Sequence, residues 1–320
     1  MLLYDEVDMV IGVISTKVAL RIIPLLEKQT TPLLLLNLGA DIPTHELSSP
    51  FLLYNSLHLW KSEWVMGRWA QLRYGGEPSI NMSAYEGGYG IFEAFKAGTS
   101  AAGADTVTLN IVRNFSPVPD TSSLIQSLLA QQPSYAHALL SGKEGEQFLR
   151  LFHDQGLAST IPLTVNPFMT EDGAVRDLQT GPLLHNAITW SPCQRDDLNR
   201  YFIEGYQARY DAPPNVFSLL AYEAGLALTD AVKNFGGHMH REILAAALEK
   251  VNATGPRGKI ELSTRPLQTR MPVYIRQQTN ASGHAENKII AIETGIEWDD
   301  LSLYQGQTFN TGWQNPYLCV

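Results

Sequence analysis

The fold of this chain is decided by residues 7–41, which read VDMVIGVISTKVALRIIPLLEKQTTPLLLLNLGAD. Residues 7–14 form an apolar, β-branched run that predicts a buried strand. Residues 17–28 then place apolar side chains three and four positions apart, a spacing typical of a helix. Residues 33–36 are apolar throughout and predict a second buried strand. This order of strand, helix and strand is typical of a parallel sheet buried on both faces.

The same alternation continues along the rest of the chain. Further helices are predicted at residues 64–74, 87–102, 122–131, 145–155, 196–210, 218–235 and 241–251. Further strands are predicted at residues 79–83, 107–112, 135–140, 161–165, 259–262, 273–277 and 288–292. Alternating elements of this kind predict an α/β fold with helices on both faces of parallel sheets.

Composition excludes several classes of protein. The 320 residues suggest two domains or one large one, at roughly 100–200 residues per domain. The net charge is −9 without a basic stripe, which argues against binding of nucleic acid. No apolar run reaches the roughly 18–20 residues needed to cross a bilayer. The two cysteines, Cys193 and Cys319, have no metal-binding spacing and do not predict a disulfide.

Several motifs occur in a characteristic order over nearly the whole chain. They are VDMVIGVIST with its helix, GADIP at 39–43, INM at 80–82 before Tyr89-Gly90, AAGADTV at 101–107, residues 136–140 with QGL at 155–157, LAYEA at 220–224 and GPRGKI at 255–260. In order and spacing they resemble the type I periplasmic binding proteins. Within that group they resemble the Leu/Ile/Val-binding-protein family, which serves ABC transporters.

The resemblance implies two Rossmann-like lobes of parallel sheet flanked by helices and joined by a three-stranded hinge. The first lobe would hold residues 1–58 and 191–265, and the second would hold 59–190 and 266–320. The chain would cross between the lobes near Trp60, near Trp190 and near Pro266.

The resemblance also concerns the start of the chain. Members of the family begin with a strand–helix–strand–helix stretch ahead of the strand that starts here at residue 7, and loss of an internal strand leaves unpaired edges. We therefore expect either a longer polypeptide with an export signal, or a dimer in which another chain supplies the strand. The family implies a periplasmic or extracellular location, and a lipid anchor would lie on the preceding segment.

In this fold the ligand lies beyond the carboxyl ends of the parallel strands. Ser15 and Thr16 follow the first strand at a helix N-terminus, which suits an anionic or polar ligand group, although plain N-capping explains them too. The resemblance assigns the ligand's carboxylate to the loop of Gly39, Ala40 and Asp41, where Asp41 replaces a hydroxyl residue. Since two carboxylates repel each other, we expect either a ligand other than an ordinary α-amino acid or an α-amino acid bound in another orientation. The alternative is that Asp41 only caps the turn.

Three residues of the second lobe complete the predicted ligand site. Tyr89 aligns with a family tyrosine whose ring stacks on the ligand, the alternative being a partly buried tyrosine at a helix start. Ser141 and Asn166 each follow a predicted strand. Amino-acid binders of the family place an acidic residue near Asn166 for the ligand's ammonium, and this sequence has no acid in register there.

The sequence predicts no catalytic residue, metal or cofactor. Residues 98–103 miss the Gly-x-Ser-x-Gly elbow by one position, and residues 88–90 lack the third glycine of a dinucleotide loop. His238 and His240 are more typical of a surface turn than of a metal site. We therefore expect a solute-binding protein that captures a small molecule and passes it to an ABC permease. The alternatives are a sensory domain of the same fold and an α/β hydrolase.

Overall fold

A computed structural model describes residues 6–42, 49–84, 90–113, 118, 120–171, 183–233, 240–262, 264, 270–281 and 284–294. Among these residues, no helix is both long enough and apolar enough to span a bilayer. The same residues contain no group of three or more potential metal ligands.

A first sheet is formed by the N-terminal strands. Its strands β1 (Val10–Val13), β2 (Leu33–Asn37) and β3 (Leu52–Ser56) are parallel, and they lie side by side in chain order. Helix α1 (Thr16–Lys28) joins β1 to β2 and buries Ala19 and Leu26 against one face. The other face packs against helices that come much later in the chain: α6 (Asp197–Tyr210), α7 (Val216–Val232) and α8 (Arg241–Glu249). A short hairpin of β9 (Thr254–Gly255) and β10 (Gly258–Lys259) follows α8.

In the part of the chain that the structure describes, a second sheet has seven strands in the order β12-β11-β8-β7-β6-β4-β5. The strands are β4 (Pro78–Ser83), β5 (Thr108–Val112), β6 (Tyr135–Leu139), β7 (Leu163–Val165), β8 (Leu184–Ile188), β11 (Val273–Ala281) and β12 (His284–Glu293). Strands β4 to β8 are parallel, whereas β11 and β12 run antiparallel to their neighbours.

Among the described residues, four helices cover the second sheet. They are α2 (Leu59–Tyr74) and α3 (Ile91–Ala101) on one face, and α4 (Ser122–Gln131) and α5 (Gly142–Asp154) on the other. Short 3₁₀ turns at Leu157–Ser159 and Pro167–Thr170 flank β7. The α/β fold predicted from the alternation of elements is confirmed.

Helices α2 and α3 cross at backbone contact. A Cβ atom added to Gly67 would overlap the carbonyl oxygen of Phe95, and one added to Gly98 would overlap the carbonyl oxygen of Trp64. Because both collisions involve backbone atoms, a rotamer change cannot relieve them. Two glycines therefore set the distance between the helices that cover one face of the second sheet.

The structure corrects several predicted elements. Strands β3 and β8 were not predicted; β8 carries buried His185 and Asn186 in its middle, which hides its apolar character. Helix α2 starts at Leu59 rather than at residue 64. The polar residues of its first turn are buried, so the sequence does not show the apolar and polar faces by which a helix is predicted. Helix α5 starts at Gly142 rather than at 145, and β10 covers only the start of the strand predicted at 259–262.

The buried polar residues of β8 are paired. The Nδ1 atom of His185 lies 3.3 Å from the hydroxyl of Tyr74, and its Nε2 atom lies 3.1 Å from Nε2 of Gln277. The Oδ1 atom of Asn186 accepts a hydrogen bond from Nε of Arg276 at 2.8 Å. Hydrogen bonding of this kind is what allows polar side chains in a central strand.

Two connections between the sheets run side by side. The chain leaves β3 and enters α2 through Leu57 and His58, and it leaves β8 and enters α6 through residues 189–196. The hydroxyl of Thr189 donates a hydrogen bond to the carbonyl of Leu57 at 2.8 Å. The crossing predicted near Pro266 lies outside the described residues.

Candidate functional site

Ser15 lies at the carboxyl end of β1, where it is the N-cap of α1. Its hydroxyl accepts a hydrogen bond from the backbone N–H of Val18 at 3.3 Å, and Thr16 is the first residue of the helix. The Ser15 side chain is buried. In this structure Ser15 therefore performs the capping role that the sequence left open as an alternative.

The loop after β2 is fixed to the start of α2. The N–H groups of Leu59 and Trp60 donate to the carbonyls of Leu38 and Gly39, both at 2.9 Å. Gly39 has a φ of +66°, and a Cβ atom there would overlap the Ser56 hydroxyl and lie 2.9 Å from the Cα of His58. Both its conformation and its surroundings therefore require glycine.

The same loop contacts helices that cover the second sheet. Ala40 and Ile42 are buried in the apolar cluster formed with α2 and α3, while Asp41 between them is half-buried. A Cβ atom added to Gly90 would lie only 2.9 Å from the backbone nitrogen of Ile42. The start of α3 thus packs directly against the loop that carries Asp41. Tyr89, which precedes Gly90, lies outside the described residues.

Ser141 and Asn166 lie together at the carboxyl edge of the second sheet. Strands β6 and β7 are parallel neighbours there, and the N–H of Asn166 donates to the carbonyl of Ala138 at 2.9 Å. Ser141 is exposed, and its side chain makes no capping hydrogen bond to α5. Asn166 is buried: its Oδ1 accepts from the N–H of Phe168 and its Nδ2 donates to Glu63, both at 3.1 Å. Of the two side chains, only that of Ser141 reaches solvent.

Behind Asn166 lies a buried polar group that the sequence did not predict. The Nε2 atom of His137 lies 3.0 Å from Oε2 of Glu63, and its Nδ1 lies 2.9 Å from the hydroxyl of Thr164. That hydroxyl donates to the carbonyl of Ala136 at 3.3 Å, so it accepts from the Nδ1–H of the histidine. His137 and Glu63 are therefore in direct contact in the interior, with no exposed side-chain surface to speak of on either residue.

Two basic side chains at the carboxyl end of β3 were also missed. His58 has a φ of +49°, and burial lowers its pKa well below the usual range, helped by the charges of Lys61 and Arg257. Lys61 is buried in the first turn of α2, and burial lowers its pKa to about 7. Its ammonium lies 5.4 Å from the ring centroid of Trp60. No spacing in the sequence distinguishes these residues from surface residues.

Arg257 ties the β9–β10 turn to β3 and α7. Its Nε atom donates to both carboxylate oxygens of Glu223, at 3.0 and 3.1 Å. Its Nη atoms donate to the carbonyl of Ser56 at 2.8 Å and to Oδ1 of Asn55 at 2.7 Å. The residues that the resemblance identified at 220–224 and 255–260 thus meet in one buried ion pair.

Comparison with known protein families identifies the family of the chain. A family model described as periplasmic binding protein matches residues 1–284. The chain belongs to the periplasmic binding protein family. This confirms the resemblance seen in the sequence motifs. No curated protein matches the chain significantly.

Solved structures share the fold of this periplasmic binding protein. A solute-binding protein of an ABC transporter from R. palustris, in complex with benzoate, is 23% identical with a TM-score of 0.74; the match covers 92% of this chain and 81% of that one. A substrate-binding protein from Sphaerobacter thermophilus is 18% identical, with a TM-score of 0.79 and the same coverage. A leucine-binding protein from Thermotoga maritima is 16% identical with a TM-score of 0.69, again with the same coverage. These likenesses show that the chain shares the α/β fold of these proteins.

Proposed function

We propose that this protein captures a small carboxylic acid between two lobes and presents it unchanged to the permease of an ABC transporter. The first lobe comprises residues 1–58 and 191–265, and the second comprises 59–190 and 266–320. The observation that carries this proposal is the contact between Ile42 and Gly90, because it joins the loop after β2 to the start of α3. Loops at the carboxyl ends of parallel strands are where α/β proteins bind ligands.

The proposed ligand class draws on the structural neighbours. Proteins with this fold have been solved with benzoate, with 3,4-dihydroxybenzoic acid and with 4-hydroxybenzoate, and one is named a leucine-binding protein. All four compounds carry a carboxylate. Asp41 favours a ligand that also carries a hydrogen-bond donor, such as a phenolic hydroxyl, because an ionised carboxylate only accepts hydrogen bonds.

The ligand site combines the predicted residues of both sheets. The acidic group lies at Gly39, Ala40 and Asp41, beside the N-terminus of α1 with Ser15 and Thr16. The side facing the second sheet is formed by Tyr89, Ser141 and Asn166. A ligand that contacts both lobes favours the closed form by its difference in affinity for the two forms, and a permease would recognise that closed form.

Asp41 provides the test of the ligand's donor group. Removing a hydrogen bond to a charged group costs about 1.5–3 kcal/mol, so we expect Asp41→Ala to weaken the native ligand about 10- to 150-fold. Asp41→Thr should move the preference toward aliphatic amino acids. Calorimetric titration against hydroxybenzoates and amino acids measures both effects.

The matched control for the Asp41 variants is Asp154→Ala. Asp154 carries an exposed carboxylate at the far end of α5. This variant should bind like the unmodified chain. If the Asp41 variants also bind like the unmodified chain, Asp41 is only a turn residue and the donor requirement on the ligand is wrong.

A further inference from the structure

Strand β5 lies at one end of the second sheet. Among the residues that the structure describes, β5 pairs with β4 alone. The N–H of Ala84, just after β4, donates to the carbonyl of Val112 at 2.8 Å, so Val112 directs its backbone groups toward β4. Because successive residues of a strand direct these groups to opposite sides, those of Leu109 and Ile111 point outward. The outer edge of β5 therefore offers hydrogen-bond donors and acceptors to a further strand.

The side chains of the two outward-pointing residues are apolar and exposed. Leu109 is 42% exposed and Ile111 is 48% exposed. In the register of the sheet they lie beside Ile80 and Met82 of β4, which are buried in the apolar cluster formed with α2 and α3. Val107, just before β5, packs against the same cluster. The edge of β5 thus extends the apolar surface of the sheet into solvent.

The two ends of the second sheet differ in charge. Strand β12, at the opposite end, carries Glu286, Lys288 and Glu293. Charged side chains of this kind discourage an exposed edge from pairing with another chain. Residues 106–112, which read TVTLNIV, contain no charged residue and no proline. The edge of β5 therefore lacks the features that keep an edge strand unpaired.

The sequence around β5 is complementary to itself when two copies run antiparallel. Val107 and Ile111 lie two residues on either side of Leu109, and Asp105 and Arg113 lie four residues on either side. In a two-fold pairing centred on Leu109, the apolar side chains of the two copies lie opposite one another. Asp105 of each copy then meets Arg113 of the other. Both charged residues are exposed, and neither forms an ion pair within the described part of the chain.

We propose that two copies of this chain associate through their β5 edges, antiparallel about a two-fold axis, so that the second sheets of both copies become one. A symmetric contact of this kind closes on itself, whereas a head-to-tail contact would extend into a filament. The contact is short, so the dimer is weak and depends on protein concentration. The dimer does not depend on the proposed function, because it uses a sheet edge rather than the loops of the candidate ligand site.

The test is sedimentation equilibrium over a range of concentrations, in which the unmodified chain should show a reversible monomer–dimer equilibrium. Leu109→Lys should weaken the dimer about 5- to 30-fold, because two lysines then lie opposite each other. Asp105→Arg and Arg113→Asp should each weaken it too, because each brings like charges together at both ends of the contact. The double variant Asp105→Arg/Arg113→Asp should restore the dimer. Since both of these residues are exposed, their variants test the contact even where Leu109→Lys fails to fold.

The matched controls are Ile290→Lys on β12 and Ile11→Lys on β1, which replace isoleucines that are 43% and 44% exposed on other edge strands. Both variants should dimerise like the unmodified chain. The proposal is wrong if the unmodified chain stays monomeric at the highest concentration reached, or if none of the β5 variants weakens the dimer. It is also wrong if a control variant weakens the dimer and Leu109→Lys does not. A double charge variant that dimerises no better than the single ones would overturn the register centred on Leu109.

Discussion

Replacing Gly98 by leucine is expected to lower the free energy of unfolding by about 3 kcal/mol or more, at the upper end of overpacking effects. A Cβ atom at this position would overlap the Trp64 carbonyl oxygen and lie 2.9 Å from the backbone nitrogen of Arg68. The two helices would have to separate, which exposes the apolar cluster that they form with the second sheet. Urea denaturation followed by circular dichroism measures the loss.

Gly225→Ala is the matched control for the glycine substitution. Gly225 lies inside helix α7 and no atom lies within 4 Å of a Cβ built there. Alanine should stabilise the chain by about 0.5–1 kcal/mol through its helix propensity. A Gly98→Leu variant as stable as the unmodified chain would show that α2 and α3 do not cross at backbone contact.

Replacing Arg257 by methionine is expected to cost about 3–5 kcal/mol of stability, because it leaves the Glu223 carboxylate buried without its cation. The Arg257 and Glu223 side chains are 1% and 2% exposed, so water cannot replace the lost partner. The substitution also removes the hydrogen bonds to Ser56 and Asn55 that hold β3. Chemical denaturation of the variant measures the effect.

Two comparisons separate the buried ion pair from a general effect of charge. Arg200→Ala removes an exposed ion pair with Asp197 on α6 and should change stability by less than about 1 kcal/mol. Replacing both Arg257 and Glu223 by methionine should recover most of the loss, since no charge is then left buried. If the single Arg257 variant matches Arg200→Ala, the ion pair contributes little and this account of the β9–β10 turn is wrong.

The sequence predicted most of the fold because parallel strands and their helices have strong patterns. Helix α4 was predicted at the bounds that the structure shows, and β2 differs by one residue. Strand β8 was missed because His185 and Asn186 are buried by pairing with distant residues, which no local pattern reveals.

The sequence predicted which strand ends carry the candidate site residues, and their role in ligand binding stays a prediction. Strand ends identified Ser15, the loop with Asp41, Ser141 and Asn166, and the structure places each at the carboxyl end of a strand. Lys61 was missed because a basic residue in the first turn of a helix normally marks a surface, and His137 was missed because a single polar residue in an apolar strand gives no sign of its partners. Their burial depends on the packing of two sheets, which local spacing does not contain.

The central claim is that the protein binds a small acid without changing it, and mass spectrometry of the bound fraction tests this most directly. The ligand-stripped chain is incubated with benzoate, hydroxybenzoates and amino acids, freed of unbound compound and denatured, and the released molecules are then weighed and counted. We expect one acid to be retained at close to one molecule per chain, with its mass unchanged. Release of a compound of altered mass, or retention of no acid even at millimolar concentration, would contradict the account.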